Sequence, residues 1–311
     1  MRVTASTFPD SLLSQLNRLA IRQARLQQQA ASGQRLTRPE DDPVAMRRVL
    51  DMQAEAGSIA QYQRNVDRHK ELAGASYASI KALKTVVDRA SEIVTLADDL
   101  KSPEELQTYA TEINQLIQQA AQVMNAQNRG DYLFGGTRVG VEPFAVTHDT
   151  DGQVTAVTYQ GNAETPESEI APGITVSSHT VGVNTSGSGP RGLVADSRSG
   201  ADLFAHLISL RDNLRAGNTA AVASVDRENL EKDAEAVIYQ VGTNGAVQTR
   251  LETATALLKQ RAANLESLVS KEADADLADT LVRLNEVQTA YQAALQSGGT
   301  ILNRSLMDYL R

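Results

Sequence analysis

The sequence predicts a mainly α-helical protein, in which the N- and C-terminal flanks form a long antiparallel helical rod and a small β-rich domain is inserted at its tip. Residues that break helices are concentrated in the middle of the chain, where 12 of the 20 glycines lie between Gly130 and Gly200. Both flanks therefore remain free to form long helices. In both flanks, apolar residues also recur every three or four positions, which places them on one face of a helix.

The first predicted helix ends at Gly33, because glycine tolerates the left-handed conformation just beyond a helix C-terminus. The stretch "TRPEDDPVA", residues 37–45, then forms a rigid acidic corner. Pro43 has no N–H to donate and suits the first position of the next helix, while Asp41 or Asp42 can cap that helix. We therefore expect a hinge between the terminal helix and the rod at four residues: Gly33, Asp41, Asp42 and Pro43.

The segments after this corner carry the strongest helical patterns. A second helix is predicted from residue 44 to residue 100 by two series that each repeat every seven residues, as in a coiled-coil seam: Ala73, Ile80, Val87 and Val94, and Ser76, Leu83, Ala90 and Ala97. A third helix begins at "SPEE", where Ser102 caps it, Pro103 takes the first position and Glu105 closes a capping box. We expect Gly130 to end this helix.

The C-terminal flank contains further helical patterns. A short one runs from Leu203 to Leu214, and a long one from Leu230 to Leu268. The last helix begins after Asp276, which can cap it, and its apolar stripe consists of Leu277, Leu281, Leu284, Tyr291, Leu295 and Leu302.

The middle of the chain is predicted to be β-rich. "FAVTHDTDGQVTAVTYQG" reads as two strands around a "DTDG" turn, and "GITVSSHTVGVN" is a further alternating stretch. The chain thus divides into three predicted domains: a terminal helical assembly domain of residues 1–42 and 272–311, a helical rod domain of residues 43–134 and 200–271, and a β-rich inserted domain of residues 135–199.

Composition excludes several classes of function. Without cysteine, the chain can form no disulfide, zinc thiolate site or cysteine nucleophile. The net charge of −8 argues against affinity for nucleic acid, because neutralising phosphates requires a surplus of Lys and Arg. No segment is apolar enough for membrane insertion, and the N-terminus lacks the apolar core of a cleaved signal peptide. The four histidines are scattered, so we expect a non-enzymatic protein that binds no cofactor or metal.

The two terminal helices are amphipathic, and a pair of such helices has little core of its own. They can pair with each other, stay disordered until a partner arrives, or pack between subunits, and the last two options together describe an assembly protein. We predict that both are poorly ordered in the free monomer and supply a subunit interface: Leu12, Leu16, Leu19, Leu26, Leu295, Leu302, Leu306, Tyr309 and Leu310. Seven arginines between Arg18 and Arg48 form either a solvated helix face or a surface for acids of a neighbouring subunit.

Five segments, in order along the chain, resemble the bacterial flagellin family. "ASGQRLTRPEDDPVAMRRVL" (31–50) resembles the motif after the first helix of flagellin-like proteins, and "NRGDYLFGGTRVGVEPF" (128–144) resembles the entry into their central domain. "YQGNAETPESEIAPGITV" (159–176) and "DLFAHLISLRDNLRAGN" are similar to the β insert and following helix of the family's hook–filament junction subunits. The ending "SLMDYL" also resembles those subunits, whereas Gly298, Gly299 and Arg311 are closer to filament flagellins.

This resemblance covers nearly the whole chain and implies an extracellular structural subunit at the junction of hook and filament. The implied partners are copies of itself in a ring layer, the preceding hook-associated junction protein, filament flagellin, and a flagellar type III export chaperone at the C-terminal region. Export would proceed without a cleaved signal peptide. Two alternatives stay open: a short filament flagellin, and a cytoplasmic coiled-coil scaffold that needs no export and purifies as a stable dimer.

Overall fold

The computed structural model describes the backbone of residues 7–309 and the side chains of residues 10–300. Long helices occupy both flanks and short strands lie between them, which confirms the predicted fold class. The helices are α1 (Thr7–Ser32), α2 (Pro43–Leu96), α3 (Pro103–Met124), α4 (Leu203–Arg215), α5 (Thr219–Ala221), a π-helical turn (Val222–Asp226), α6 (Arg227–Ala273) and α7 (Leu277–Tyr309). Within residues 7–309, no helix combines the length and apolarity needed to cross a membrane.

The strands are β1 (Gln127–Asn128), β2 (Asp131–Tyr132), β3 (Phe144–His148), β4 (Val154–Tyr159), β5 (Ser168–Ala171), β6 (Ile174–Val176), β7 (Val181–Asn184), β8 (Gly192–Asp196) and β9 (Ala201–Asp202). Consecutive strands pair antiparallel as β1–β2, β3–β4 and β5–β6, and β8 lies between parallel β7 and antiparallel β9. The predicted hairpin is β3–β4. Its turn forms because the Asp149 carboxylate accepts the amide N–H groups of Asp151 and Gln153.

Contacts divide the chain into two units. Unit 1 comprises the described residues up to Ser58 and from Gln260, and unit 2 comprises Ile59–Lys259. The two heptad series of α2 lie in unit 2, and all eight members are at most 3% exposed, as predicted. From Ile80 onward they join one hydrophobic core with apolar residues of α3 and α4.

The capping box predicted for α3 is confirmed, with Ser102 accepting from the Glu105 amide and Glu105 accepting from the Ser102 amide. The prediction that Gly130 ends α3 is wrong. The helix stops at Met124 because the next side chain, Asn125, donates to the carbonyl of Phe144 at 2.8 Å and accepts its amide N–H at 2.9 Å. Gly130 instead occupies the β1–β2 turn with a φ of +93°.

Candidate assembly surface

The terminal helices α1 and α7 pack against each other in unit 1. Three of the leucines predicted for the α1 interface are half-buried and one, Leu26, is buried. The two helices come close at Gly298, where an added Cβ would lie 2.5 Å from Cδ2 of Leu12. An added Cβ on the next residue, Gly299, would meet no atom within 4 Å. The predicted α1 stripe therefore contacts α7 of the same chain.

The apolar stripe of α7 is wider than the face that α1 covers. Thr280, Val287 and Gly298 are buried on that face. The neighbouring face, about 60–100° around the helix from Thr280 at 100° per residue, carries three leucines that remain 48–50% exposed: Leu277, Leu281 and Leu295. On the far side of α1, Leu13 and Ile21 are 61% and 70% exposed.

We call these five side chains the exposed terminal residues: Leu13, Ile21, Leu277, Leu281 and Leu295. Exposed apolar surface on paired helices is typical of sites of protein association. Of the residues predicted for the C-terminal interface, only Leu295 has a described side chain. The others lie outside the described side chains, so their role stays a prediction: Leu302, Leu306, Tyr309 and Leu310.

The acidic corner is organised by Asp41. Its Oδ2 accepts the amide N–H groups of Thr37 and Arg38 at 3.2 and 3.0 Å and the Thr37 hydroxyl at 3.1 Å. Its Oδ1 lies 2.7 Å from the Arg25 guanidinium of α1. Burial alone would raise the pKa of Asp41, but these hydrogen bonds and the positive charge outweigh burial and lower it. One carboxylate therefore holds the corner closed and ties it to α1.

The ends of the two helices that flank this corner form as predicted. The amide of Gly33, whose φ is +70°, donates to the carbonyl of Gln29 and ends α1. Asp42 caps α2, since its Oδ1 accepts the Ala45 amide at 3.0 Å, and this bond lowers the pKa of Asp42. Pro43 is the first residue of α2. The sequence alone did not decide whether Asp41 or Asp42 caps α2. The structure shows that Asp42 is the cap, whereas Asp41 organises the corner.

A second turn lies against the first one. Residues 33–36 pair with residues 272–275, at the break between α6 and α7. The Arg35 amide donates to the carbonyl of Ala273 at 2.7 Å, and its guanidinium donates to the carbonyl of Glu272. A small hydrophobic cluster covers the contact: Leu36, Ala45, Val49 and Ala273. Sequence analysis missed this joint, because no local pattern indicates which distant segment a turn will meet.

Four of the seven early arginines form ion pairs within unit 1: Arg25 with Asp41, Arg35 with Asp42, Arg38 with Glu40 and Arg48 with Glu272. Three of these partners belong to the acidic corner and Glu272 belongs to the joint, so these arginines support the turn region. Arg18, Arg22 and Arg47 form no ion pair with the described residues. Pairing with acids of a neighbouring subunit stays a prediction for them.

Among the described residues, no group of three or more His, Asp or Glu side chains converges in a way that could hold a metal ion. The larger of two described cavities, about 550 Å³ in unit 1, lies along the end of α6 and the turn after it. Most of the side chains that line it are polar: Glu266, Ser267, Ser270 and Asp274. The most extensive contact in unit 1 is between the paired terminal helices.

Comparisons with known proteins agree with this geometry. Family models match the chain in two places: the bacterial flagellin N-terminal helical region over residues 10–138 and the C-terminal helical region over residues 228–310, together more than half of the 311 residues. A search of curated proteins found no match.

Several solved structures share the fold. A candidate flagellar hook-associated protein from Vibrio parahaemolyticus aligns with a TM-score of 0.64 and 18% identity, over 75% of this chain and 100% of its own. Hook-associated protein 3 from Legionella pneumophila aligns with a TM-score of 0.58 and 13% identity, over 71% and 97% of the two chains. FlgL from Bacillus cereus aligns with a TM-score of 0.55 and 18% identity, over 71% and 99%.

Proposed function

Since the chain belongs to the bacterial flagellin family, we propose that it is a structural subunit of the flagellum that forms the junction between hook and filament. Its loss would prevent filament attachment and swimming. The observation that carries the proposal is the pair of terminal helices, on which large apolar side chains stay exposed, among them the exposed terminal residues. The similarity to solved hook-associated proteins, over nearly their whole lengths, supports the junction over the filament.

In this role, the exposed terminal residues pack between copies of the chain to form one layer of the junction. The layer would contact the preceding hook-associated protein on one side and filament flagellin on the other. The subunit would be extracellular and reach its place through the flagellar type III export apparatus, with a chaperone bound at the C-terminal region. No catalytic step is part of this role.

A seeded assembly assay tests the proposal. Purified protein is added to sheared hooks that already carry the preceding hook-associated protein, and negative-stain electron microscopy compares them with unseeded protein. A short cap on hook ends, with no growth in the unseeded sample, is the expected result. Long self-propagating filaments would identify a short filament flagellin instead. A discrete soluble dimer that ignores the hooks would favour a coiled-coil scaffold.

Two adjacent glycines provide a matched pair of variants for the same assay. Gly298→Leu places a side chain against Leu12 and should separate α1 from α7, whereas Gly299→Leu meets open space. Both changes raise helix propensity equally. We expect Gly298→Leu to abolish capping of the hooks and Gly299→Leu to preserve it. Equal capping by both variants would show that the α1–α7 contact does not contribute to assembly.

The corner supplies the hinge of this proposal. Asp42→Ala removes the cap of α2 and Pro43→Gly frees its first residue, so both should let the terminal helix adopt other directions. We expect weaker capping of hooks with far-ultraviolet circular dichroism unchanged. Normal motility and filament attachment in strains carrying either variant would exclude the hinge.

A further inference from the structure

The β5–β6 hairpin and the residues after it, 168–180, lie across α2 and α6 in unit 2, and we call them the latch segment. Asn65 of α2 donates its side-chain amide to the carbonyl of Glu169 at 2.8 Å. Arg250 of α6 donates to the carbonyl of Thr175 at 3.1 Å. Side chains of two separate helices therefore hold the hairpin by its backbone. Of its apolar side chains, Ile170 and Val176 are buried, whereas Ile174 is exposed.

Two histidines lie at the C-terminal end of the latch segment: His179 of the segment itself and His69 of α2. His69 of α2 is 5% exposed, and its Nδ1 lies 2.7 Å from the hydroxyl of Ser178, which is also buried. The next residue, His179, is half-buried, and its Nδ1 is enclosed without a hydrogen-bond partner among the described atoms. A neutral ring tolerates such a site. A protonated ring gains a positive charge and an N–H donor there, and both are costly without an acceptor.

Burial and the neighbouring Arg68 guanidinium oppose protonation of this pair. Burial first, and then the Arg68 guanidinium, lower the pKa of His69. Burial, His69 and Arg68 lower the pKa of His179, and Asp131 on β2 opposes them only in part. The carboxylate of Glu169 is already engaged by a backbone amide of the hairpin turn.

We propose that the latch segment is closed on α2 and α6 at neutral pH and is released in acid, when His69 and His179 take up protons. In the closed state both rings resist protonation, whereas in the open state they titrate at their ordinary value near pH 6.5. Closure is therefore fully favoured above about pH 6.5 and weakens as the pH falls below it. Between pH 7 and pH 5 the opening equilibrium can rise by at most about 25-fold for each histidine.

Hydrogen exchange read by mass spectrometry measures this opening, with protection factors calculated against intrinsic rates at each pH. Residues 168–180 should lose protection at least threefold between pH 7 and pH 5, while α3 keeps its protection. The double variant His69→Gln, His179→Gln should remove this dependence. The matched control His148→Gln changes an exposed histidine and should retain it. A change below twofold in the native protein, or an equal change in the double variant, would overturn the proposal.

A second measurement decides the matter if the double variant does not fold. The chain has only four histidines, so their imidazole proton resonances can be followed in the native protein and assigned with single variants. The proposal requires the resonances of His69 and His179 to titrate below pH 6.5. Titration of either ring at or above that value would refute it.

Discussion

Asp41 offers the sharpest test of how the corner is held. Asp41→Ala removes every acceptor of this side chain, whereas Asp41→Asn keeps one oxygen. That oxygen can still accept from the Thr37 and Arg38 amides and the Thr37 hydroxyl, so the asparagine variant loses only the ion pair with Arg25. The two variants therefore separate the hydrogen bonds from the ion pair.

The expected magnitudes differ clearly. The Arg25 side chain is 52% exposed, and a surface ion pair of this kind contributes about 0.5 kcal/mol. The three hydrogen bonds end on a carboxylate that is only 10% exposed. Such bonds contribute about 1.5 kcal/mol or more each. In Asp41→Ala the freed amides regain hydrogen bonds to water, so we expect the free energy of opening the corner to fall by about 2–3 kcal/mol in total. Opening of the corner should rise about 2-fold in Asp41→Asn and about 30–150-fold in Asp41→Ala.

Hydrogen exchange of residues 34–42 measures this local opening directly. Asp51→Ala, at an exposed position of α2, controls for the loss of a negative charge. Equal losses of protection in Asp41→Ala and Asp41→Asn would mean that the ion pair, and not the hydrogen bonds, holds the corner. No loss in either variant would refute the role assigned to Asp41 altogether.

Three further predictions concern unit 2. The hydrogen bond from Arg198 is the main cause that lowers the pKa of Asp196 to about 2. About 2 kcal/mol of the unfolding free energy present above pH 4 should therefore be lost as the pH falls toward 2. Urea unfolding of Asp196→Asn should not show this loss. Burial opposes protonation of His206, but the hydrogen bond and charge of Asp233 outweigh it and raise the pKa of His206. The stability that the His206–Asp233 pair contributes is complete below about pH 6.5 and is lost as the pH rises through the pKa of His206 in the folded protein. Urea unfolding of Asp233→Asn between about pH 6 and pH 9 should show no such loss. Ser76→Ala removes a fully buried hydroxyl that has no hydrogen-bond partner among the described residues, and it should stabilise the protein by about 1 kcal/mol, seen as a higher urea midpoint. Destabilisation would mean that a water pairs with this hydroxyl.

Features that depend on neighbouring residues were predictable from the sequence. The heptad series of α2, the capping box of α3, the glycine that ends α1 and the β3–β4 hairpin each involve residues only a few positions apart. A helix repeats its geometry every few residues, and a hairpin turn is specified by its own side chains. Sequence alone therefore established the mainly helical fold and the β-rich insert.

Features that join distant segments were decided only by tertiary structure. Asn125 ends α3 early because its side chain is hydrogen-bonded to the backbone of Phe144. The Arg35 amide donates to the carbonyl of Ala273, more than two hundred residues away. The exposed part of the α7 surface could not be predicted for the same reason. The sequence showed an apolar stripe on α7, but the part of the stripe that stays exposed depends on where α1 packs, and this packing depends on the surfaces of both helices.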